Sequence, residues 1–220
     1  MLIKQYIDIF LRPDGRASFL AKLPSNACIL DVGCGNNSPY KTKKILPKCV
    51  YVGIDVGDYN QIKPNLADEY IVTDGNKFTS EIAKFNNRFD AVISCHNLEH
   101  CDDRTGTLLA MLQSLKVDGQ IFLSFPSEAS VAFPNRVGTL NYYDDLTHKE
   151  SPPSFEYIIQ LLNCNKFEII FSSKSYRPRL LAILGLFFEP LSCLTRKKLA
   201  GTWEYWGFES IIKAKKFSKS

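Results

Sequence analysis

The chain has 220 residues, 45 % of them hydrophobic and 23 % charged, with a net charge of +4. That length suits one well-buried domain with an elaboration, and the balance excludes disordered and fibrous classes. The small positive excess, much of it in the tail IIKAKKFSKS, argues against a nucleic-acid partner, and seven cysteines without a C-x-x-C pair exclude a disulfide framework and a zinc ribbon.

The first two dozen residues place Leu2, Tyr6, Ile9 and Phe10 at helical spacing, which predicts a helical segment over 1–24. Asp8, Arg12, Asp14 and Arg16 interrupt any apolar run there. No signal peptide is therefore expected, and no stretch approaches the ~20 apolar residues of a membrane span, so the expectation is a soluble cytoplasmic protein. ACILDV (27–32) is a short continuous apolar run, the mark of a strand buried on both faces. VYVGID, EYIVTD, FDAVISC and GQIFLSF repeat that pattern. TSEIAKFNNR predicts a short helix capped by Thr79 or Ser80. RTGTLLAMLQSLKVDG carries Leu108, Leu109, Leu112 and Leu115 on one helical stripe, ended by Gly119.

Strands alternating with helices imply parallel pairing through right-handed crossovers, in a sheet covered on both faces. Downstream, SPPSFEYIIQLLNCN predicts a helix with a capping serine and prolines in its first turn, followed by the strands KFEIIFSSK and GFESIIKAKK. Between those strands an apolar insertion spans 175–206. Its stretch 180–194, LLAILGLFFEPLSCL, is apolar nearly all round until Glu189 and Pro190, with Arg177, Arg179, Arg196, Lys197 and Lys198 at its ends. The pattern leaves these readings of 180–198 open: a helix packed onto the domain or into a homodimer interface, a lid over a substrate, or a peripheral membrane contact.

In open α/β sheets ligands bind at the carboxyl ends of the strands. Gly33 and Gly35 follow the first strand and let the backbone approach a ligand, with Cys34 between them, and Asp31 is placed to accept N–H groups of that turn. Asp55 ends the second strand about 20 residues further on, where a carboxylate can accept both hydroxyls of a ribose. Asp74, with Gly75 after it, ends the third strand and can accept the amine of an adenine; the fourth ends in the polar cluster CHNLEH. The third glycine of a dinucleotide motif is replaced by Ser38, and there is no phosphate loop. A ligand with ribose and adenine but no phosphates satisfies this set.

On ILDVGCG (29–35), VGID (52–55), VTDG (72–75), FDAVISCHNLEH (89–100) and LKVDGQIFLSFP (115–126), the chain resembles the class I S-adenosylmethionine-dependent methyltransferases. Within them it looks like the small-molecule type with an LEH signature, over roughly residues 25 to 175. The resemblance implies a Rossmann-like seven-stranded α/β sheet whose last strand is antiparallel, with helices on both faces and a helical insertion before that strand. By this likeness S-adenosyl-L-methionine is the cofactor: Gly33 and Gly35 flank its methionine part, Asp55 holds the ribose, Asp74 the adenine, and Cys95 and His96 line the donor pocket.

If the acceptor is a hydroxyl, a base adds rate. His100 and His148 are the candidates for a base or for shaping the substrate site, and all three histidines are expected near the same sheet edge. Small-RNA 2′-O-methyltransferases carry a similar Glu-His pair and a later histidine as metal ligands, which would fall on Glu99, His100 and His148. His96 stands where that pattern has another glutamate, and no metal is expected. A weaker likeness, over LTHKESPPSFEYIIQLLNCNKFEII and WEYWGFESIIKAKK, is to bacterial methyltransferases of lipopolysaccharide or O-antigen sugars. It implies an acceptor hydroxyl on a nucleotide- or lipid-linked saccharide, with Phe133, Tyr142, Tyr143, Trp203 and Trp206 available for stacking. An RNA-directed enzyme and a catalytically silent cofactor-binding regulator are the rival expectations.

Overall fold

A computed structural model describes residues 2–217, with side chains from residue 7 onward. Two helices come first, α1 (Leu2–Leu11) and α2 (Arg16–Ala21), parted at Pro13 and Gly15. The strands are β1 (Cys28–Val32), β2 (Val50–Asp55), β3 (Glu69–Val72), β4 (Phe89–Cys95), β5 (Leu115–Pro126), β6 (Phe167–Ser173) and β7 (Glu209–Lys216). They form one sheet in the order β3-β2-β1-β4-β5-β7-β6. β1 to β5 pair in parallel, and β7 runs antiparallel to both β5 and β6. The seven-stranded sheet with an antiparallel last strand is thus as the resemblance implies.

Side-chain alternation along the strands decides what each face of the sheet carries. Leu30 and Val32, Val52 and Ile54, Val92, and Ile121, Leu123 and Phe125 join one buried cluster. It is closed by α4 (Phe78–Ile82), α5 (Arg104–Ser114) and α6 (Phe155–Cys164). The alternate residues Ile29, Tyr51, Ala91, Ile93 and Phe122 join a second cluster with Phe19 and Leu20 of α2 and with Leu46, which follows α3 (Ser38–Ile45). The continuous apolar runs are therefore two interleaved half-cores.

Three helices differ from their sequence expectation. α4 begins at Phe78 rather than after a Thr79 or Ser80 cap, because a 3-10 turn over Gly75–Lys77 runs straight into it and Phe78 anchors it in the core. α5 stops at Ser114, not Gly119: Leu115 already pairs with Phe89 as the first residue of β5, and Leu109 is solvent-exposed. α6 is capped by Ser154, whose side chain accepts from the Tyr157 N–H, so Pro152 and Pro153 precede the helix.

The insertion holds α7 (Arg179–Thr195) and α8 (Thr202–Trp206). α7 continues through Pro190. It packs against α8 where Gly185 meets Gly201; a Cβ on Gly185 would overlap the Gly201 carbonyl oxygen. No helix of the described residues is long and apolar enough to cross a membrane.

Candidate active site

The aligned register of β1, β2 and β4 (Val32 beside Ile54 and Ser94) brings three strand ends to one edge. Gly33 turns the chain there with φ +78°, its N–H donating to the Ile54 carbonyl at 2.9 Å. A Cβ at Gly33 would lie 2.6 Å from the Asn97 side chain, so glycine is required both for the backbone angle and for the close approach of the loop after β4. Cys34 buries its side chain in the second cluster, and burial beside Asp31 and Asp55 pushes its thiol far up. The thiol is thus an inert core group, and only the main chain of Cys34 belongs to the turn. Asp55 faces the turn: its Oδ2 would lie 3.4 Å from a Cβ at Gly35. Its Oδ1 accepts the Val56 N–H at 2.7 Å, yet burial outweighs such bonds and raises its pKa. Asp74 and Gly75 stand exposed at the end of β3, with the Asp74 carboxylate 4.0 Å from Lys77 Nζ.

Asp31 is placed differently from the expectation that it accepts turn N–H groups. Period-two alternation points it to the α2 side of the sheet, where it is buried. Its Oδ2 accepts from the Tyr51 hydroxyl at 2.5 Å, from Ser38 Oγ, and from Arg16 at 3.2 Å. Arg16 also donates to Ser38 Oγ at 2.7 Å and to Thr42 Oγ1 at 2.6 Å. One guanidinium thus ties α2, β1 and α3 together beneath the glycine turn. In the sequence Arg16 is only a break in an apolar run, and a separation of 15 residues from Asp31 carries no signal of the pair.

Cys95 ends β4, its thiol pushed up to about 12 chiefly by burial. His96 follows with φ +50° and an N–H bonded to the Ser124 carbonyl at 2.8 Å. That turn drives the ring between two carboxylates: Nδ1 is 3.1 Å from Glu99 Oε1 and Nε2 is 3.3 Å from Glu209 Oε1. The ring also stacks on Trp203 and Phe208, at 5.2 and 6.2 Å between centroids. Burial works against a charge here, but the bonds to Glu209 and Glu99 prevail and raise His96 to about 10. His96 is therefore an imidazolium at neutral pH and cannot accept a proton from a substrate.

This leads to a pH test. An imidazolium held in the folded state stabilises fully below the ordinary histidine value near 6.5, and that contribution fades as pH rises through about 10. NMR of the His96 ring carbons should show a titration near the upper value, and Glu209→Gln should move it down. Melting temperatures should decline across the same window, less so in the variant.

The three histidines do converge. His96, His100 and His148 line one cavity of about 260 Å³, together with Glu99, Thr139, Asp145, Lys198, Trp203 and Phe208. His148 is set by Tyr142, whose ring stacks on it at 4.3 Å and whose carbonyl accepts its Nδ1–H at 2.6 Å. That bond leaves the lone pair on Nε2, and burial lowers the affinity of the ring for a second proton. His100 lies 4.9 Å away between ring centroids, its Nδ1 3.0 Å from Thr147 Oγ1. Glu99, His100 and His148 each offer an atom to a common point, all within 4.8 Å of one another. Glu99 is fully buried, and its Oε2 has no hydrogen-bond partner. Of the five aromatics proposed for stacking, Trp203 lines the cavity, whereas Tyr142 is buried behind His148. No local pattern in the sequence marks Glu209 and Phe208, which lie over a hundred residues from His96.

A family model described as a methyltransferase domain matches residues 5–211. The chain belongs to this methyltransferase-domain family. Among curated relatives, an uncharacterised protein of Methanocaldococcus jannaschii is 31 % identical over 115 residues, 49 % of this chain. The chain spans only 31 % of that relative's length. Among solved structures, an S-adenosylmethionine-dependent methyltransferase from Mesorhizobium loti superimposes with a TM-score of 0.59 at 17 % identity, covering 94 % of this chain and all of the other. The 1,6-didemethyltoxoflavin-N1-methyltransferase of Burkholderia thailandensis, with bound S-adenosylhomocysteine, gives 0.53 at 13 %, covering 99 % and 88 %. At such identities the likeness establishes the fold, which for a methyltransferase-domain chain is the Rossmann-like sheet described above.

Proposed function

We propose that this chain transfers the methyl group of S-adenosyl-L-methionine to a hydroxyl of a small-molecule or saccharide acceptor, a nucleotide- or lipid-linked sugar above all. The glycine turn, Asp55 and Asp74 would hold the donor, in keeping with the family and with the ligand in the Burkholderia enzyme. The observation that carries the acceptor reading is His148: neutral, with Nε2 free, in a cavity that opens beside the end of β4. The sulfonium is already electrophilic, so the protein's work is alignment and removal of the hydroxyl proton. Trp203 gives the cavity an aromatic wall of the kind sugars stack on. A larger cavity, about 320 Å³ between α5 and Pro152–Pro153, holds no histidine and offers no such chemistry.

Incubating the protein with labelled donor, sugar nucleotides and envelope lipid extracts tests this reading. Label should enter a hydroxyl, and His148→Ala should cut kcat by about 100-fold or more with little change in KM, the usual yield of a general base. The acid limb of the wild-type pH profile should fall below the ordinary histidine range. Label entering RNA instead, or no turnover with any acceptor despite donor binding, supports one of the rivals.

A second reading is favoured by the unpartnered buried oxygen of Glu99: a divalent cation held by Glu99, His100 and His148, polarising the same hydroxyl. Hydrogen bonds to Tyr142 and Thr147 fix both rings by their Nδ1 atoms, as outer partners of metal-bound histidines do. Full activity of chelated, metal-free protein would end that reading and leave His148 as the base.

A further inference from the structure

α7 has its amphipathicity reversed. Leu180, Leu184, Phe187, Leu191 and Leu194 follow one another at intervals of four and three, a single helical stripe, and every one of them faces solvent. Phe187 is 76 % and Leu194 83 % exposed, and Ile183, Leu186 and Phe188 widen the stripe. The opposite side, which packs on the body of the protein, is made of small and polar residues. Gly185 lies against Gly201, Ser192 is buried, and Glu189 pairs with Arg136 through two bonds of 2.6 and 2.8 Å. The outward direction of the stripe is therefore built in, because no large side chain fits between Gly185 and Gly201. Isolated exposed apolar residues are ordinary, whereas eight on one helix form a patch of the kind that marks an interaction surface.

The ends of the helix say what covers it. Arg177 and Arg179 lie at its start, Arg196 and Lys197 just past its end, all four exposed. Glu189, the one acidic residue of the helix, is engaged by Arg136. An apolar face between two clusters of cations complements an anionic lipid surface, with apolar side chains among the acyl chains and cations at the headgroups. A second copy docked on this face would set cation against cation.

We propose that α7 docks this protein on an anionic lipid surface, lying in the interfacial plane with the Leu180–Leu194 stripe immersed. Lys198, three residues beyond α7, lines the histidine cavity, so if the acceptor is lipid-linked, as in the proposed function, docking would bring it near the site. The docking does not rest on methyl transfer, and its test needs no turnover.

The full chain would be floated with phosphatidylcholine vesicles and with vesicles one third phosphatidylglycerol, without donor or acceptor. Binding should be strong to the anionic vesicles alone and weaken with salt. A Phe187→Ser/Leu191→Ser variant should lower vesicle affinity roughly tenfold or more. Arg196→Glu/Lys197→Glu should lower it on anionic vesicles while leaving melting temperature and S-adenosylhomocysteine affinity unchanged, since these side chains are exposed. Folded protein that ignores both vesicle types overturns the proposal, as does vesicle binding indifferent to both variants. Self-association abolished by Phe187→Ser/Leu191→Ser, without vesicle binding, overturns it in favour of a dimer face. Donor binding that fails while vesicle binding persists would count against the methyltransferase reading alone.

Discussion

Asp55→Asn will weaken binding of S-adenosylhomocysteine by at least roughly 100-fold and will raise the melting temperature of the unliganded protein. In the proposed donor site two ribose hydroxyls would donate to this buried carboxylate, charge-assisted bonds each worth about 1.5–3 kcal/mol, so their joint loss reaches that factor. The stability gain follows from the direction of the Asp55 shift. Burial raises its pKa above 3.8 despite nearby N–H donors. The folded state therefore holds the proton more tightly than the unfolded chain, and stability falls as pH rises through the raised value. At neutral pH the buried charge is a net cost, which a neutral amide relieves. Calorimetry with the demethylated cofactor and a thermal melt read both effects. Unchanged affinity would remove Asp55 from the donor site, and a lower melting temperature would contradict the electrostatic argument.

Arg16→Met will destabilise the fold by about 3–5 kcal/mol, the usual cost of stranding one partner of a buried ion pair. For a chain of this size that lowers the melting temperature by roughly 10 °C. Asp31 is 1 % exposed, and Arg16 supplies the positive charge at its side chain. Methionine keeps the bulk of the stem but leaves Asp31, Ser38 and Thr42 without their common donor. Arg16→Lys should recover part of the loss, since the charge returns but on a shorter side chain than the guanidinium whose Nη2 reaches all three oxygens. Because α3 opens just after the glycine turn, donor affinity should fall in the methionine variant more than in the lysine one. A melting temperature unchanged in Arg16→Met would mean that Tyr51 and Ser38 satisfy Asp31 alone.

The two residues differ in how they could be found. The position of Asp55 was legible because a strand end and a glycine turn at fixed spacing mark it, and the fold sets its carboxylate against that turn. Arg16 was not, because its partner is chosen by packing: α2 lies on the face of the sheet to which Asp31 alternates. His96 shows the same division. Its position after β4 is plain in FDAVISCHNLEH, but its charge depends on Glu209, which the antiparallel β7 delivers from the far end of the chain. The ends of α4 and α5 follow the same division. Leu115 fits a helical stripe as well as a strand, and pairing with Phe89 settled the matter.

Periodicity and spacing along the chain suffice for the alternating strands, the glycine turn with its acidic companions at one sheet edge, and the apolar insertion before the last strand. These are local facts, carried by periodicity and by residues that must stand within a few positions of one another. Tertiary structure alone decided which histidine is charged and which is free, that Glu99, His100 and His148 meet, and which way α7 turns its apolar face. Those properties depend on contacts between residues tens to hundreds of positions apart, and on burial, which sets the cost of a charge and which no linear pattern specifies.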